Sequence, residues 1–277
     1  MRAYKAALTA AAFLSLTMGC ADAADISDNS GFSYKDTPAD YWVITLGGYA
    51  GARPQYPGSD GLTFDFRPVI DIHRAGAREW LALPNDAFSL TLYQTPNFRI
   101  GAAADYLQNR NQSDDRSALR GLHDIDYTVE LGGFAEYYPL PFLRTRVELL
   151  QGVSGAEGFA ANLMADYIYT PDPSWMFTVG PRLQFVNTQY ESTFFSITAA
   201  EAAIANLTPY HAAGGIHSAG VDATARYYVN DRLSLRAYFE WDRLVGDAAD
   251  SPLVKQRGSE DQLQFGIGAA YRFTYGR

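Results

Sequence analysis

"GLHDIDYTVELGGFAEYY", residues 121–138, threads Asp124, Asp126, Glu130 and Glu136 among Tyr127, Val129, Leu131 and Tyr137. On a helix, carboxylates two residues apart point to different sides of a 3.6-residue turn, so this spacing would serve no single face. On a strand, successive side chains alternate between faces. Tyr127, Val129, Leu131, Ala135 and Tyr137 then share one side, and Asp126, Thr128, Glu130 and Glu136 share the other. Such a strand separates an apolar medium from an ionic one.

The same alternation recurs along the chain. It predicts strands near 41–50, 62–73, 79–83, 87–93, 97–107, 124–137, 143–151, 160–169, 175–186, 217–229, 232–243 and 262–273. In the second of these, Leu62, Phe64, Phe66, Pro68, Ile70 and Ile72 interleave with Thr63, Asp65, Arg67, Asp71 and His73. Short turns, "RAGA" at 74–77, "TPN" at 95–97, "PLPF" at 139–142, "TPDPS" at 170–174 and "ND" at 230–231, take turns with long connections. The long ones are "PQYPGSDG" at 54–61, "NRNQSDDRSALRGLH" at 109–123, the region 187–216, and "VGDAADSPLVKQRGSEDQ" at 245–262. Alternating short and long connections are the mark of a transmembrane barrel with periplasmic turns and extracellular loops. The tight "PND" at 84–86 breaks the pattern as a short outer turn. Merging the strands around it would give an odd count, whereas bacterial single-chain barrels have even counts, so the expectation is an all-β, antiparallel, up-and-down barrel of 12 strands.

The N-terminus fits this location. Arg2 and Lys5 precede an apolar stretch from Ala6 to Gly19, and Ala21-Asp22-Ala23 offers a small-residue cleavage site, so 1–23 reads as a secretory signal peptide. The lone cysteine, Cys20, lies inside it in "LTMGC", a poor lipoprotein box. Residues 24–40 read as a polar periplasmic tail and 41–277 as the barrel. A net charge of −9 argues against a nucleic-acid partner, since binding phosphates needs clustered Lys and Arg. Past the signal, no apolar run reaches the length of a membrane helix.

With both termini periplasmic, Tyr41, Trp42, Trp80, Tyr137, Tyr138, Tyr167, Tyr169, Trp175, Phe177, Tyr227, Tyr228, Tyr271 and Phe273 fall at the periplasmic strand ends as an aromatic girdle. Tyr49, Tyr106, Tyr127, Phe185 and Trp241 fall at the outer ends. Arg67, Arg99, Arg144, Arg146, Arg182, Arg226, Arg236 and Arg272 point inward, with Asp65, Asp71, Asp105, Asp126, Glu130, Glu136, Glu148, Asp166, Asp222, Glu240 and Asp242. These charges either pair and close the lumen or separate and line a polar channel. In the long region 187–216, Thr198 followed by Glu201 forms a capping box before an Ala-rich stretch, which predicts a short helix in an extracellular loop.

Signals for catalysis are weak. An outer-membrane lipase needs a His and a Ser on one face, but His217 and Ser218 are adjacent and should face opposite ways. His73, His123 and His211 lack triad partners, and "GVSGAEG" at 152–158 lacks the G-x-S-x-G spacing. No His pair has metal-ligand spacing. A non-enzyme without cofactor or metal is expected.

"PQYPGSD" at 54–60, "GLHDIDYTVELGGFAEY", "VGPRL" at 179–183, "STFFSITAAEAA" at 192–203 and "LVGDAADSPLV" at 244–254 resemble, in order, the MipA/OmpV family of outer-membrane proteins. The motif residues are Gly58, Ser59, Asp60, Asp124, Asp126, Glu130, Gly132, Gly133, Gly180, Pro181, Arg182, Gly246, Asp247, Asp250, Ser251 and Pro252. The resemblance implies a barrel in the bacterial outer membrane, in contact with its lipid and lipopolysaccharide. It also implies a scaffold role, because the name-giving member binds a lytic transglycosylase and a bifunctional murein synthase. Other members are described as porins or adhesins, so a small-solute channel with a charged lumen and an adhesin remain alternatives, and oligomeric state stays open. The chain departs from a common barrel ending by continuing past Phe273 with "TYGR".

Overall fold

A computed structural model describes residues 41–276 apart from Ala77. The expected signal peptide (1–23) and periplasmic tail (24–40) lie outside the described residues. The wall consists of β1 (Tyr41–Pro54), β2 (Leu62–Arg74), β3 (Phe88–Gln94), β4 (Phe98–Leu107), β5 (Thr128–Leu140), β6 (Leu143–Gly152), β7 (Phe159–Asp172), β8 (Trp175–Val186), β9 (Gly215–Tyr228), β10 (Leu233–Leu244) and β11 (Asp261–Gly276). Neighbours in sequence are neighbours in the sheet, and β1 pairs with β11 to close the barrel. No helix among the described residues is long and apolar enough to cross a membrane, so any crossing is made by strands.

The alternation that opened the sequence is visible in the burial. Thr128, Glu130, Phe134, Glu136 and Tyr138 turn inward, while Val129, Leu131 and Tyr137 are exposed on the outer surface. Phe64, Phe66, Leu92, Leu149, Phe239 and Ile267 continue that exposed belt around the wall. An apolar belt of this extent has no place in water and matches the lipid-facing band of a membrane barrel.

The wall has eleven strands, not the twelve expected, and the difference lies between β2 and β3. Residues 79–83 form no strand. After β2 reaches the turn end of the barrel, residues 79–87 fold into the lumen and climb partway back inside it. The chain re-enters the wall as β3, which runs parallel to β2 and pairs with it only at Asp71↔Ser89 and Ile72↔Leu90. All other strand pairs are antiparallel. Both termini of the wall lie at the turn end, because the chain reverses inside the lumen between β2 and the short β3 and makes no separate twelfth strand.

Trp80, Leu81, Ala82 and Leu83 explain why this segment leaves the sheet. All four are buried, so the segment has no lipid-facing side and cannot sit in a two-faced wall. Trp80 packs edge-on against Tyr138, with ring centroids 5.5 Å apart, and Tyr228 bonds Glu79. Trp80, Tyr138 and Tyr228 therefore belong to the lumen and not to the girdle. Tyr49 is likewise internal, against Tyr238.

The long connections carry α1 (Thr188–Phe195), α2 (Ala199–Ala205), α3 (Gly246–Asp250) and α4 (Pro252–Arg257). The capping box expected from Thr198 and Glu201 is formed at the start of α2. α1 is capped by Asn187, whose side chain accepts from Tyr190 N at 2.9 Å, whereas Val245 and Ser251 make no side-chain cap at α3 and α4.

Candidate functional site

The lumen is filled at the turn end by a plug, residues 79–87, whose backbone is held by side chains from the wall. Arg99 donates to Leu81 O at 2.9 Å, Arg226 and Arg236 both donate to Ala82 O at 3.0 Å, and Arg67 donates to Pro84 O at 3.2 Å. An irregular segment at membrane depth needs its carbonyls satisfied, and guanidinium groups do that here in place of a neighbouring strand. Arg226 and Arg236 stand directly opposite each other across β9 and β10. Facing like charges repel, and their shared acceptor on the plug offsets that repulsion.

Behind these contacts lies a network of fully buried ions. Glu136 accepts from Arg99 at 3.1 Å, from Arg144 at 2.8 Å and from Arg146 at 3.1 Å. Arg99 continues to Asp71 at 2.7 Å, and Asp71 to the His73 ring at 2.6 Å. Arg144 reaches Asp166 at 2.8 Å and Asp86 of the plug at 2.7 Å. Arg146 bonds Glu148 at 2.7 Å, and Glu148 accepts from the plug's Ala87 N at 3.0 Å. Arg182 bonds Asp166 at 2.6 Å and Asp222 at 3.2 Å. Glu79 of the plug meets Arg272. The planar, always-charged guanidinium suits such multidentate work.

At the loop end the lumen is covered by a lid built from four distant segments. Phe194, Phe195, Ala212, Leu244, Ala248 and Val254 form one apolar cluster, and Tyr56, Leu119, Leu122, Ile197 and Leu253 form a second. Arg110, buried beneath them, donates to Phe194 O at 2.6 Å, and burial lowers its pKa to about 10. Burial pushes the Glu201 carboxyl up, but hydrogen bonds from the Thr198 hydroxyl and N–H and from His123 outweigh it and hold the group at about 2.

Between plug and lid lies a cavity of about 290 Å³, lined in part by Asp65, Arg67, Asp105, Glu240, Gln262 and Gln264. His217 and Ser218 also line it. A bulge in β9 lets Ile216 pair with Phe185 and Ser218 with Gln184, leaving His217 as the extra residue. The expectation that these two face opposite ways is therefore wrong: both turn inward, because a bulge breaks the period of two. Among the described residues no hydrogen bond joins them, and His217 is held instead by Glu191 at 2.8 Å. Nor do the described residues contain a cluster of His, Cys, Asp or Glu arranged to hold a metal.

The residues expected to line the lumen fall into three groups. Arg99, Arg144 and Arg146 lie in the network, Arg226 and Arg236 at the plug, and Arg67, Arg182 and Glu240 at the cavity, while Glu130 is buried on β5. Asp126 is a correction: it precedes β5, lies in the outer loop and is exposed. Its even-numbered position matched the pattern, but the strand begins two residues later. Glu79, Asp86 and the plug carbonyls were missed. The signal that could have found them is the cross-strand pair Arg226 and Arg236, which demands an acceptor the wall does not supply.

The motif residues divide between lid and wall. Gly58 N donates to Gln262 at 2.9 Å, and Gly58 adopts φ of 91°, a conformation only glycine takes without strain. Ser59 N donates to Tyr56 O at 2.9 Å, and Asp60 is exposed beside it. Asp124 accepts from Gln112 N at 2.8 Å. Gly246 opens α3, Asp247 accepts from Ala213 N at 2.6 Å, Asp250 pairs with Lys255 at 2.6 Å, and Pro252 begins α4. Ser251 donates its hydroxyl to Phe195 O at 2.8 Å. Gly132, Gly133, Gly180 and Pro181 lie in β5 and β8. A Cβ on Gly132 would stand 1.8 Å from Leu149 O, so close strand approach requires glycine there.

An apolar outer belt, an ionic interior and closure by antiparallel ladders define an outer-membrane β-barrel protein. The family profile of MltA-interacting protein MipA matches residues 46–273, and the chain belongs to that family, in the bacterial outer membrane. No curated protein matches it. Among solved structures it is similar to the COG4313 outer membrane channel from Pseudomonas putida F1, with 11% identity, 87% of this chain and 98% of that chain covered, and a TM-score of 0.44. It is also similar to the NanC porin, with 7% identity, 83% and 98% covered and a TM-score of 0.40. For the outer membrane protein OprG from Pseudomonas aeruginosa, identity is 11%, coverage 84% and 96%, and the TM-score 0.30.

Proposed function

We propose that the protein is a non-conducting, non-enzymatic scaffold that holds murein-processing enzymes at the inner face of the outer membrane. The observation that carries this reading is the plug: residues 79–87 fill the periplasmic half of the lumen and are clamped by buried arginines. A solute channel needs weak, exchangeable contacts along an open path. Here the inward charges are spent on one another.

The family is named for binding MltA, a lytic transglycosylase, and the periplasmic rim suits a protein partner. Leu140, Phe142, Val229 and Tyr275 are exposed there, beside Pro139 and Pro141. The polar segment 24–40 is a second stretch expected to contact such a partner, and a murein synthase is the second expected partner. Two measurements test the reading together. Purified protein in a planar bilayer should be silent, and the immobilised protein should retain a purified lytic transglycosylase. A steady open current would return the solute-channel reading, and an empty pull-down would remove the scaffold.

A further inference from the structure

The in-folding of residues 79–87 leaves the wall incomplete. β3 begins only at Phe88, so from Leu62 to Ile70 the edge of β2 facing β4 has no strand partner. On β4 the matching edge is free from Asp105 to Leu107, because the β3 ladder ends at Phe88↔Ala104. The break is one strand wide, about 10 Å between the flanking strands. It lies in the outer half of the wall, beside the exposed Phe64 and Phe66. Among the described residues it is bridged by side chains: Tyr106 donates its hydroxyl to Phe66 O at 3.1 Å and Gln108 donates to Asp65 at 2.9 Å, while the Phe88 and Tyr106 rings stack at 6.3 Å at its lower end. Pro68 sits on this edge two residues from Phe66, where its missing N–H leaves no donor unpaired.

The cavity reaches this break, since Arg67 and Pro68 of β2, Phe88 of β3 and Tyr106 and Leu107 of β4 all line it. Plug and lid close the barrel along its axis, which leaves the break as the route to the surrounding lipid. The cavity also has a surplus of carboxylates. Asp65 takes Arg53 at 3.1 Å, Asp86 takes Arg144 at 2.7 Å, and Arg182 is held by Asp166 and Asp222. Asp105, Glu240 and Asp242 remain, with Arg67 4.0 Å from Glu240 as their nearest ion-pair partner. Glu240 is 6% exposed, and its Oε2 has no hydrogen-bond partner.

We propose that this break is a lateral portal admitting a single-chain alkylammonium amphiphile from the lipid, its chain lying between Phe66 and Tyr106 and its ammonium against Glu240. An ammonium brings donors and no acceptor, which suits the orphaned Glu240 oxygen. An alkyl chain suits the apolar lips. The portal stands whether or not a murein enzyme binds the periplasmic rim.

The test uses the full barrel in lipid nanodiscs with dodecylamine carrying a terminal diazirine, photolysed and mapped by mass spectrometry. Labels should concentrate on 62–70, Phe88 and 104–108. Glu240→Gln should cut labelling there at least tenfold, and Tyr106→Ala should speed it severalfold by removing the latch. Asp242→Asn is a second variant should Glu240→Gln fail to fold, judged by heat-modifiable gel mobility. Labels spread evenly around the belt, equal labelling by the matching alkanoate, or labelling unchanged in a folded carboxylate variant would each overturn the portal.

Discussion

Plug and lid fill the same barrel from opposite ends, yet Arg99, Arg144 and Arg146 hold the first while Phe194, Phe195 and Leu253 hold the second. The plug is directional: each guanidinium aims at a named oxygen, and a shift of an ångström would strand several charges. The lid is apolar and assembled from helices too short to be stable alone. Apolar packing tolerates small slips, whereas a buried ion that loses its partner does not. One chain thus carries a closure built to stay and a closure able to rearrange.

Replacing 79–86 by a Gly/Ser linker of equal length removes the plug and leaves the lid. The expected outcome in a planar bilayer is a change from silence to measurable current, the largest effect foreseen. Glu136→Gln leaves three buried arginines without their common counter-ion and sets an amide N–H₂ among them, for which about 3–5 kcal/mol of destabilisation is expected in urea unfolding followed by gel mobility. A loss under 1 kcal/mol would mean that the plug is not held by these ions. In the lid, Gly58→Ala forces a side chain into φ of 91° and against Val254, for which about 1–2 kcal/mol is expected. Ser251→Ala leaves Phe195 O without its buried donor and should lose about 1 kcal/mol. Both lid variants should raise proteolytic nicking in 187–214 without admitting current. Current through either would show that lid and plug act as one body.

The smallest effect is that of pH on the lid. Glu201 is held at about 2, below the ordinary carboxylate range, so its contribution is fully present above about 4.5. That contribution is lost as pH falls from about 4.5 through 2, where the carboxyl takes a proton and the bonds from Thr198 and His123 weaken. Hydrogen exchange should report faster opening of α2 over that window and an unchanged plug. Acceleration already complete at pH 5 would point to a different group.

The fold was readable wherever a strand has two solvents. Glu130 and Glu136 against Val129 and Leu131 suffice to orient β5, and the capping box at Thr198 suffices to place α2. What was not readable needs neighbours. "EWLAL" at 79–83 resembles a short strand because strand propensity does not register that both its faces are buried. His217 depends on a bulge set by its pairing with β8, and Asp126 on where β5 starts. The motif residues gave no hint that Gly58, Ser251 and Asp247 meet in one lid, since the contacts joining them run between loops far apart in sequence.

The barrel closes where β1 meets β11, from Tyr41↔Gly276 to Ala52↔Phe265, joining the two ends of the chain. Ala82 O, in contrast, is made early and waits for Arg226 and Arg236, which come from β9 and β10 near the end of synthesis. Contacts of such sequence separation form late. The stopper is therefore cast in place. It is tethered at both ends to neighbouring strands, so it needs no threading, and the step that seals the cylinder is also the step that seats what fills it.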